Sequence, residues 1–395
     1  MHDVASWAAR LGGDTFLAQT FNRSYALLPG QADEAVSLLS WDDLNGILDT
    51  QRLEPPRLRL SMDGEMLPVH RYTLPVTTRR SVTWNRVQPA ELHARLAEGA
   101  SLVLDSIEKI HPAIGASAEA LERFLGTRVQ VNAYASWTER EGFGTHWDDH
   151  DVVVVQAFGS KRWRLYGPTR DVPTFRDVET PEPPEGDPVA DIVLNAGDVL
   201  YLPRGWWHAV TADQGTASLH LTFGLVTHTG ADLLTWLVDE LRSRVALRRD
   251  VPRFASPTDQ AVFVNDLRTE VLTELADPSL VVRWAASADT TDFGRAGTSL
   301  PYVSGLPANP LISVRLTAPR ARLTSDGAGL VTLAAAGTAW DFDQQAAAML
   351  HALMDGEPRT LGTLAELSDL EVKDVADLLG ALIDGQAAAV VKAGL

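Results

Sequence analysis

The chain has 395 residues, 45% hydrophobic and 22% charged, with a formal net charge of -18 and no cysteine. That length buries a substantial core and leads us to expect two or three domains. The composition excludes disulfides and thiolate metal sites, and no apolar run reaches the roughly 18 residues of a membrane span. The start, "MHDVASWAARLGG", lacks the basic and apolar regions of a secretory leader, so a cytoplasmic protein with no membrane association is expected. The acidic balance disfavours nucleic acid, which calls for a basic face, and favours a basic protein or peptide partner.

Residues 1–50 read as short helices. Asp14 is a candidate cap for one, and Ser40 is a candidate N-cap for "LLSWDDLNGIL" (38–48). "RLRL" (57–60) alternates like a half-exposed strand and is followed by the turn-like "MDGEMLP". A helix ending near Gly99, a strand at 101–105 and a helix ending at Gly126 come next. From 128 to 226 the pattern is strand, with segments at 128–136, 151–158, 161–166, 191–194, 198–202, 207–211 and 216–226. Between them "RDVETPEPPEGDPVAD" (176–191) is acidic and proline-rich and reads as a long mobile surface loop. Many short strands with Gly/Pro turns predict a sandwich or barrel.

Beyond 230 the character changes. "ADLLTWLVDELRSRVALRRD" and "DQAVFVNDLRTEVLTELAD" are amphipathic helices with bulky apolar stripes, suited to pack on the barrel or on a second subunit. The last 85 or so residues alternate strands (312–317, 329–334) with helices (343–355, 360–367, 369–384). Ser368 with Glu371 reads as a capping box for the last helix, which ends at Gly385. The layout is that of a winged helix. Asp374, Asp377 and Asp384 on its final helix argue against direct DNA binding.

The chemistry is concentrated in "FGTHWDDHDVVVVQAFGSKRWRLYGP" (143–168) and "AGDVLYLPRGWWHAV" (196–210). If the strand extends back from the valines, His146 and Asp148 share one face about 6.8 Å apart, and their side chains can converge on one ion at about 2.1 Å. His150 lies about 13 Å from His146 on the same basis and needs a sharp bend to reach that ion. His208 begins the strand after a Pro203-Arg204-Gly205 turn and supplies a third ligand. Two histidines and one carboxylate with open positions form the facial triad of non-haem Fe(II) oxygenases. Asp149, His150 and Asp151 are left with two roles: orienting the ligands, or facing solvent at the barrel mouth.

Lys161 is one of only four lysines, against thirty arginines. It shares a strand face with Trp163 and Leu165, so it points inward, where an ammonium needs a counter-anion. An anionic co-substrate would provide one. The alternative is a lysine at the strand edge that reaches solvent.

At these residues the sequence resembles the JmjC-type ribosomal oxygenases, cupin-like protein hydroxylases that use Fe(II), 2-oxoglutarate and O2. The motifs that carry the resemblance are "HWDDHDVVVVQAFGSKRWRLYGP" and "GDVLYLPRGWWHAV", flanked by "VNAYAS" and "SLHLTFG". The resemblance implies an α+β chain: a JmjC/cupin double-stranded β-helix in a catalytic domain over 1–228 (barrel core about 100–228), a helical dimerisation segment over 229–305, and a winged-helix-like domain over 306–395. It implies that His146, Asp148 and His208 hold Fe(II) and that Lys161 pairs with the distal carboxylate of 2-oxoglutarate. Asn132 and Thr222 then line the co-substrate side, and Tyr134, His220 and Gly224 the target side. Histidine-hydroxylating relatives carry a serine where this chain has Gly224, which leaves arginine and histidine both open as targets. The implied activity is hydroxylation of a side chain of a basic protein, foremost a ribosomal protein, by a homodimer. Histone or methyl-lysine demethylation uses the same core. Two other readings stand beside it: a different metal-dependent cupin oxygenase acting on a small molecule or peptide natural product, and a non-catalytic interaction scaffold.

Overall fold

The computed structural model describes the chain except residues 177, 213–215, 296, 326, 328 and 393–395. Its contacts fall into two compact units, Met1–Thr227 and His228–Leu395.

The first unit opens with helices α1 (Val4–Leu11) and α2 (Gly13–Gln19), strand β1 (Ala26–Leu28), and helices α3 (Ala32–Val36) and α4 (Trp41–Thr50). Strands β2 (Leu58–Met62), β3 (Glu65–Met66), β4 (Thr73–Thr77) and β5 (Thr83–Val87) follow, then α5 (Pro89–Ala97), β6 (Ser101–Leu104) and α6 (Pro112–Leu125). The rest is strand: β7 (Val129–Ser136), β8 (Asp151–Phe158), β9 (Ser160–Pro168), β10 (Ala190–Asn195), β11 (Val199–Leu202), β12 (Trp206–Ala212) and β13 (Ser218–Leu225). Eight strands join in the order β1-β11-β8-β13-β7-β6-β2-β3, and three in the order β10-β9-β12. The mixture of helices with these two sheets agrees with the expected cupin-like fold.

The four valines of β8 show why its sequence is apolar without alternation. Val152 and Val154 pack with Trp163, Leu165 and Leu194 between the two sheets. Val153 and Val155 face the other way, into the core that holds Trp7, Phe16 and Leu121 of the covering helices. A strand buried on both faces needs apolar residues on both.

Helix ends depart from the sequence reading in two places. Ser40 does cap α4, in a box closed by Asp43, but Asp14 caps nothing: α2 starts at Gly13 behind Gly12, whose φ of 102° turns the chain out of α1. The side-chain cap in this region is Asp3, on α1.

The second unit begins with α7 (Gly230–Glu240), α8 (Val245–Arg248), α9 (Pro257–Leu275) and α10 (Leu280–Thr291). It continues through β14 (Ser313–Leu316), β15 (Arg322–Ser325), β16 (Leu330–Ala335), β17 (Thr338–Asp343), α11 (Ala347–Leu353), β18 (Arg359–Thr360), α12 (Leu361–Ser368), α13 (Val372–Asp384) and β19 (Ala388–Lys392). Helices α11, α12 and α13 share one apolar core with β14 and β16. The expected Ser368–Glu371 capping box is absent. Ser368 ends α12, donating its hydroxyl to the Leu364 carbonyl at 2.7 Å, and Asp369 at φ 54° breaks the chain before α13. Glu371 itself occupies the N-cap of α13 without a side-chain bond.

Candidate metal centre and its cavity

The polar run before the valines does not continue β8. Strand β8 begins at Asp151, and of the residues before it only His146 is paired, in an isolated bridge to His208. Their backbones exchange both bonds, His146 N–H to His208 O at 3.0 Å and His208 N–H to His146 O at 2.8 Å. Gly205 N–H holds the Asp148 carbonyl at 2.8 Å, and a register shift between Trp207 and His208 re-aims β12 at this point. The shared strand face expected for His146 and Asp148 is therefore replaced by a loop pinned to the 203–208 turn.

That pinning brings the three side chains together. Ligand atoms of His146, Asp148 and His208 all lie within 4.8 Å of one another. His208 Nε2 is 3.7 Å from Asp148 Oδ2, and the two imidazole centroids are 4.3 Å apart. Each ring has its Nδ1 2.9 Å from a backbone carbonyl, Gly144 for His146 and Trp206 for His208. A donated Nδ1–H fixes each tautomer and leaves the Nε2 lone pairs free for a cation. Burial pushes the His208 imidazole down to about 4, with His146 adding to the effect. Burial alone would raise the Asp148 carboxyl, but His208, His146, His150 and Arg176 outweigh it and hold it below its ordinary value. A neutral His208 imidazole beside an ionised Asp148 carboxylate suits a divalent cation.

Asp151 and its neighbours resolve differently. Asp151 is buried, accepting bonds from the Tyr201 hydroxyl and, at 2.9 Å, from Arg204 N–H. It braces β8 against β11 and fixes the turn that delivers His208. Asp149 holds His150 Nδ1 at 3.2 Å, and His150 lines the cavity wall without joining the cluster.

The cluster opens into a cavity of about 250 Å³. Asn132, Tyr134, Lys161, His220 and Thr222 all line it; Gly224 does not. Gly224 instead lies beside His150, where a β-carbon would come within 2.9 Å of ring atoms Cδ2 and Nε2. Lys161 is 4% exposed and makes no ion pair among the described residues. Burial lowers its ammonium to about 7. His220 stacks on Tyr134 at 4.9 Å and 6°, and burial, with Lys161 close by, drives its imidazole well down. Its Nδ1 and the Nε1 of Trp163 are buried without hydrogen-bond partners among the described residues. A buried lysine and unsatisfied polar atoms lining this cavity fit a small anionic, oxygen-rich ligand.

Sequence reasoning missed two arginines at this cavity. Arg59 reaches it from β2. Arg176 reaches it from the proline-rich loop, with Nη1 3.1 Å from Asp148 Oδ1 and its backbone N–H 3.3 Å from Asp149 Oδ2. The expected surface loop thus touches the site, and Glu179 ties it further to Thr174 and Arg170; its residue 177 lies outside the described residues. No local pattern marked Arg176, because its partners lie 27 and 28 positions away.

Residues 109–233 match the family model described as JmjC domain. Over 102 residues the chain is 41% identical to the bifunctional lysine-specific demethylase and histidyl-hydroxylase NO66 of Drosophila persimilis, a match covering 26% of this chain and 15% of that protein. Ribosomal oxygenase 2 of Rattus norvegicus is 38% identical over 143 residues, covering 34% and 30%. The chain thus spans less than a third of the length of these curated relatives. Among solved structures, Escherichia coli ycfD superposes with a TM-score of 0.61 at 18% identity, covering 95% of this chain and 97% of that one. The structure of YcfD, a ribosomal oxygenase, with cobalt and 2-oxoglutarate gives 0.59 at 18%, covering 96% and 98%. The match to the JmjC domain over residues 109–233 agrees with the clustered His-x-Asp and His residues, and over this segment the chain is similar to ribosomal oxygenases.

Proposed function

We propose that this protein is an Fe(II)- and 2-oxoglutarate-dependent oxygenase that hydroxylates an arginine or histidine side chain of a basic protein, foremost a ribosomal protein. The observation that carries the proposal is a two-histidine, one-carboxylate cluster sharing a cavity with a buried lysine that has no carboxylate partner among the described residues. His146, Asp148 and His208 would hold the iron. When bound, iron and 2-oxoglutarate supply the oxidation of a C–H bond by O2, with the co-substrate leaving as succinate and carbon dioxide.

The chain's own residues bind and orient. Lys161 pairs its ammonium with the far carboxylate of the co-substrate, which removes the cost of burying the charge alone. Asn132 and Thr222 flank that ligand, while Tyr134 and His220, stacked on each other, form a rigid wall toward the target side chain. Gly224 acts on the target side indirectly, by leaving room for the His150 ring. Arg176 balances the charge of Asp148 until the metal takes that role. A net charge of -18 suits a basic target.

The remaining expectations belong to the same proposal. Residues 1–228 form the catalytic domain, 229–305 a dimerisation segment and 306–395 a winged-helix-like domain that does not bind DNA. Helix α9 supports the homodimer: none of its residues is buried, and Val262, Val264, Leu272 and Leu275 stand exposed. Among the described residues no helix is long and apolar enough to cross a membrane, in keeping with the proposed cytoplasmic location. Incubating the protein with Fe(II), 2-oxoglutarate and isolated ribosomal proteins is expected to yield succinate and a mass gain of one oxygen atom on an arginine or histidine. Both are expected to vanish in Asp148→Ala. Succinate-free incubations with no oxidised residue would overturn the proposal.

A further inference from the structure

Between Glu65 and Glu91 the sequence contains no acid, in a chain that has 52, and it carries Arg71, Arg79, Arg80 and Arg86. This segment holds the β4–β5 hairpin, a two-stranded sheet that joins neither larger sheet of its unit. Ser81, at φ 61°, and the bond from Thr78 N–H to Val82 O at 2.9 Å close the turn, with Arg79 and Arg80 at its tip. All four arginines are exposed, and none pairs with a carboxylate among the described residues. The contrast within the chain is direct. The acid-free stretch 293–325 also carries arginines, but there Arg320 is bound by Asp289 and Asp292, and Arg322 by Asp289. The hairpin's charge is left unneutralised on an otherwise acidic protein.

The hairpin also offers planar and apolar surface beside that charge. Cross-strand partners share a face, so the pairs Leu74↔Arg86 and Val76↔Trp84 place Leu74, Val76, Trp84 and Arg86 together. Arg52, 3.6 Å from Glu54, lays its guanidinium over the Trp84 ring at 5.1 Å, and Leu74 is 47% exposed. Cations alternating with flat groups are what an unpaired polynucleotide uses, its phosphates meeting arginines and its bases stacking on rings and guanidinium planes. A duplex keeps its base faces stacked inside and would leave the Trp84 face unused, and so would an acidic peptide, which offers carboxylates alone.

We infer that the β4–β5 hairpin is a docking element for single-stranded RNA. The choice of RNA over DNA rests on the proposed ribosomal target, whose setting is RNA; the docking of an unpaired polyanion does not.

The test is fluorescence anisotropy of the full chain with a labelled uridine dodecamer. Four phosphate contacts at a slope of about -0.7 each predict about a 50-fold loss of affinity between 50 and 200 mM salt. Arg79→Ser with Arg80→Ser removes two contacts from an exposed turn. It is expected to bind more weakly at 50 mM salt and to lose only about sevenfold over the same salt range, with unchanged melting and unchanged 2-oxoglutarate turnover. Absence of binding, wild-type salt dependence in the double variant, or equal affinity for duplex DNA, for the thymidine dodecamer or for a poly-glutamate peptide would overturn the inference. Because the readout is binding, its failure leaves the oxygenase proposal standing, and loss of turnover leaves the RNA result standing.

Discussion

Replacing Lys161 tests the proposed co-substrate site through protons as well as activity. The residue is 4% exposed, and burial lowers its ammonium from 10.5 to about 7. At pH 8 about nine-tenths of the free protein therefore carries a neutral lysine. A dicarboxylate seated against it restores the charge, so binding takes up about 0.9 proton at that pH. Affinity should then fall about tenfold per pH unit above 7. The sign for folding is opposite to that of a surface lysine. The unfolded chain binds the extra proton between about 7 and 10.5, so the ligand-free protein gains stability as pH rises through that window. Lys161→Met removes a penalty of about 3 kcal/mol at pH 8, and is expected to melt higher than the parent while losing 2-oxoglutarate binding. Titration calorimetry in two buffers of different ionisation enthalpy, with metal-loaded protein, reads the proton uptake directly. Equal heats in both buffers, or a Met variant that binds 2-oxoglutarate as tightly as the parent, would refute the reasoning.

Three further outcomes are expected. His208, lowered to about 4, should keep a neutral ring down to about pH 5 in the metal-free protein, and the stability it contributes should decline as pH drops from about 6.5 toward 4, because only the unfolded chain takes the proton there; an NMR pH titration of its ring checks both ends. Gly224→Ala should displace the His150 ring and slow target hydroxylation severalfold with metal affinity unchanged, as measured by parallel peptide turnover and manganese titration. Asp151→Ala strands Arg204 N–H and the Tyr201 hydroxyl without their acceptor and should cost about 2–3 kcal/mol, read by urea denaturation.

Some of this was legible from neighbouring residues alone. Alternation in "KRWRL" turned Lys161 inward with Trp163 and Leu165, and the strand shows that burial pattern. The His-x-Asp spacing and the Pro-Arg-Gly turn before His208 singled out the three side chains that the structure brings together. Strand bounds from 128 to 226 were readable for the same reason, since period and turn chemistry are written locally. Caps were not, because Ser368 and Glu371 satisfy a spacing rule without saying that Asp369 would end one helix between them.

What sequence determined here is which residues share a face and which are too costly to bury without a ligand. Only the tertiary structure decided that His146, itself outside any strand, reaches His208 of β12 through a two-bond bridge, that Asp151 braces rather than binds, and that Arg176 crosses from a distant loop to Asp148. The physical reason is range. Periodicity and desolvation act through a residue's immediate neighbours, whereas these contacts join segments tens of residues apart and exist only once both sheets and the turns between them are in place.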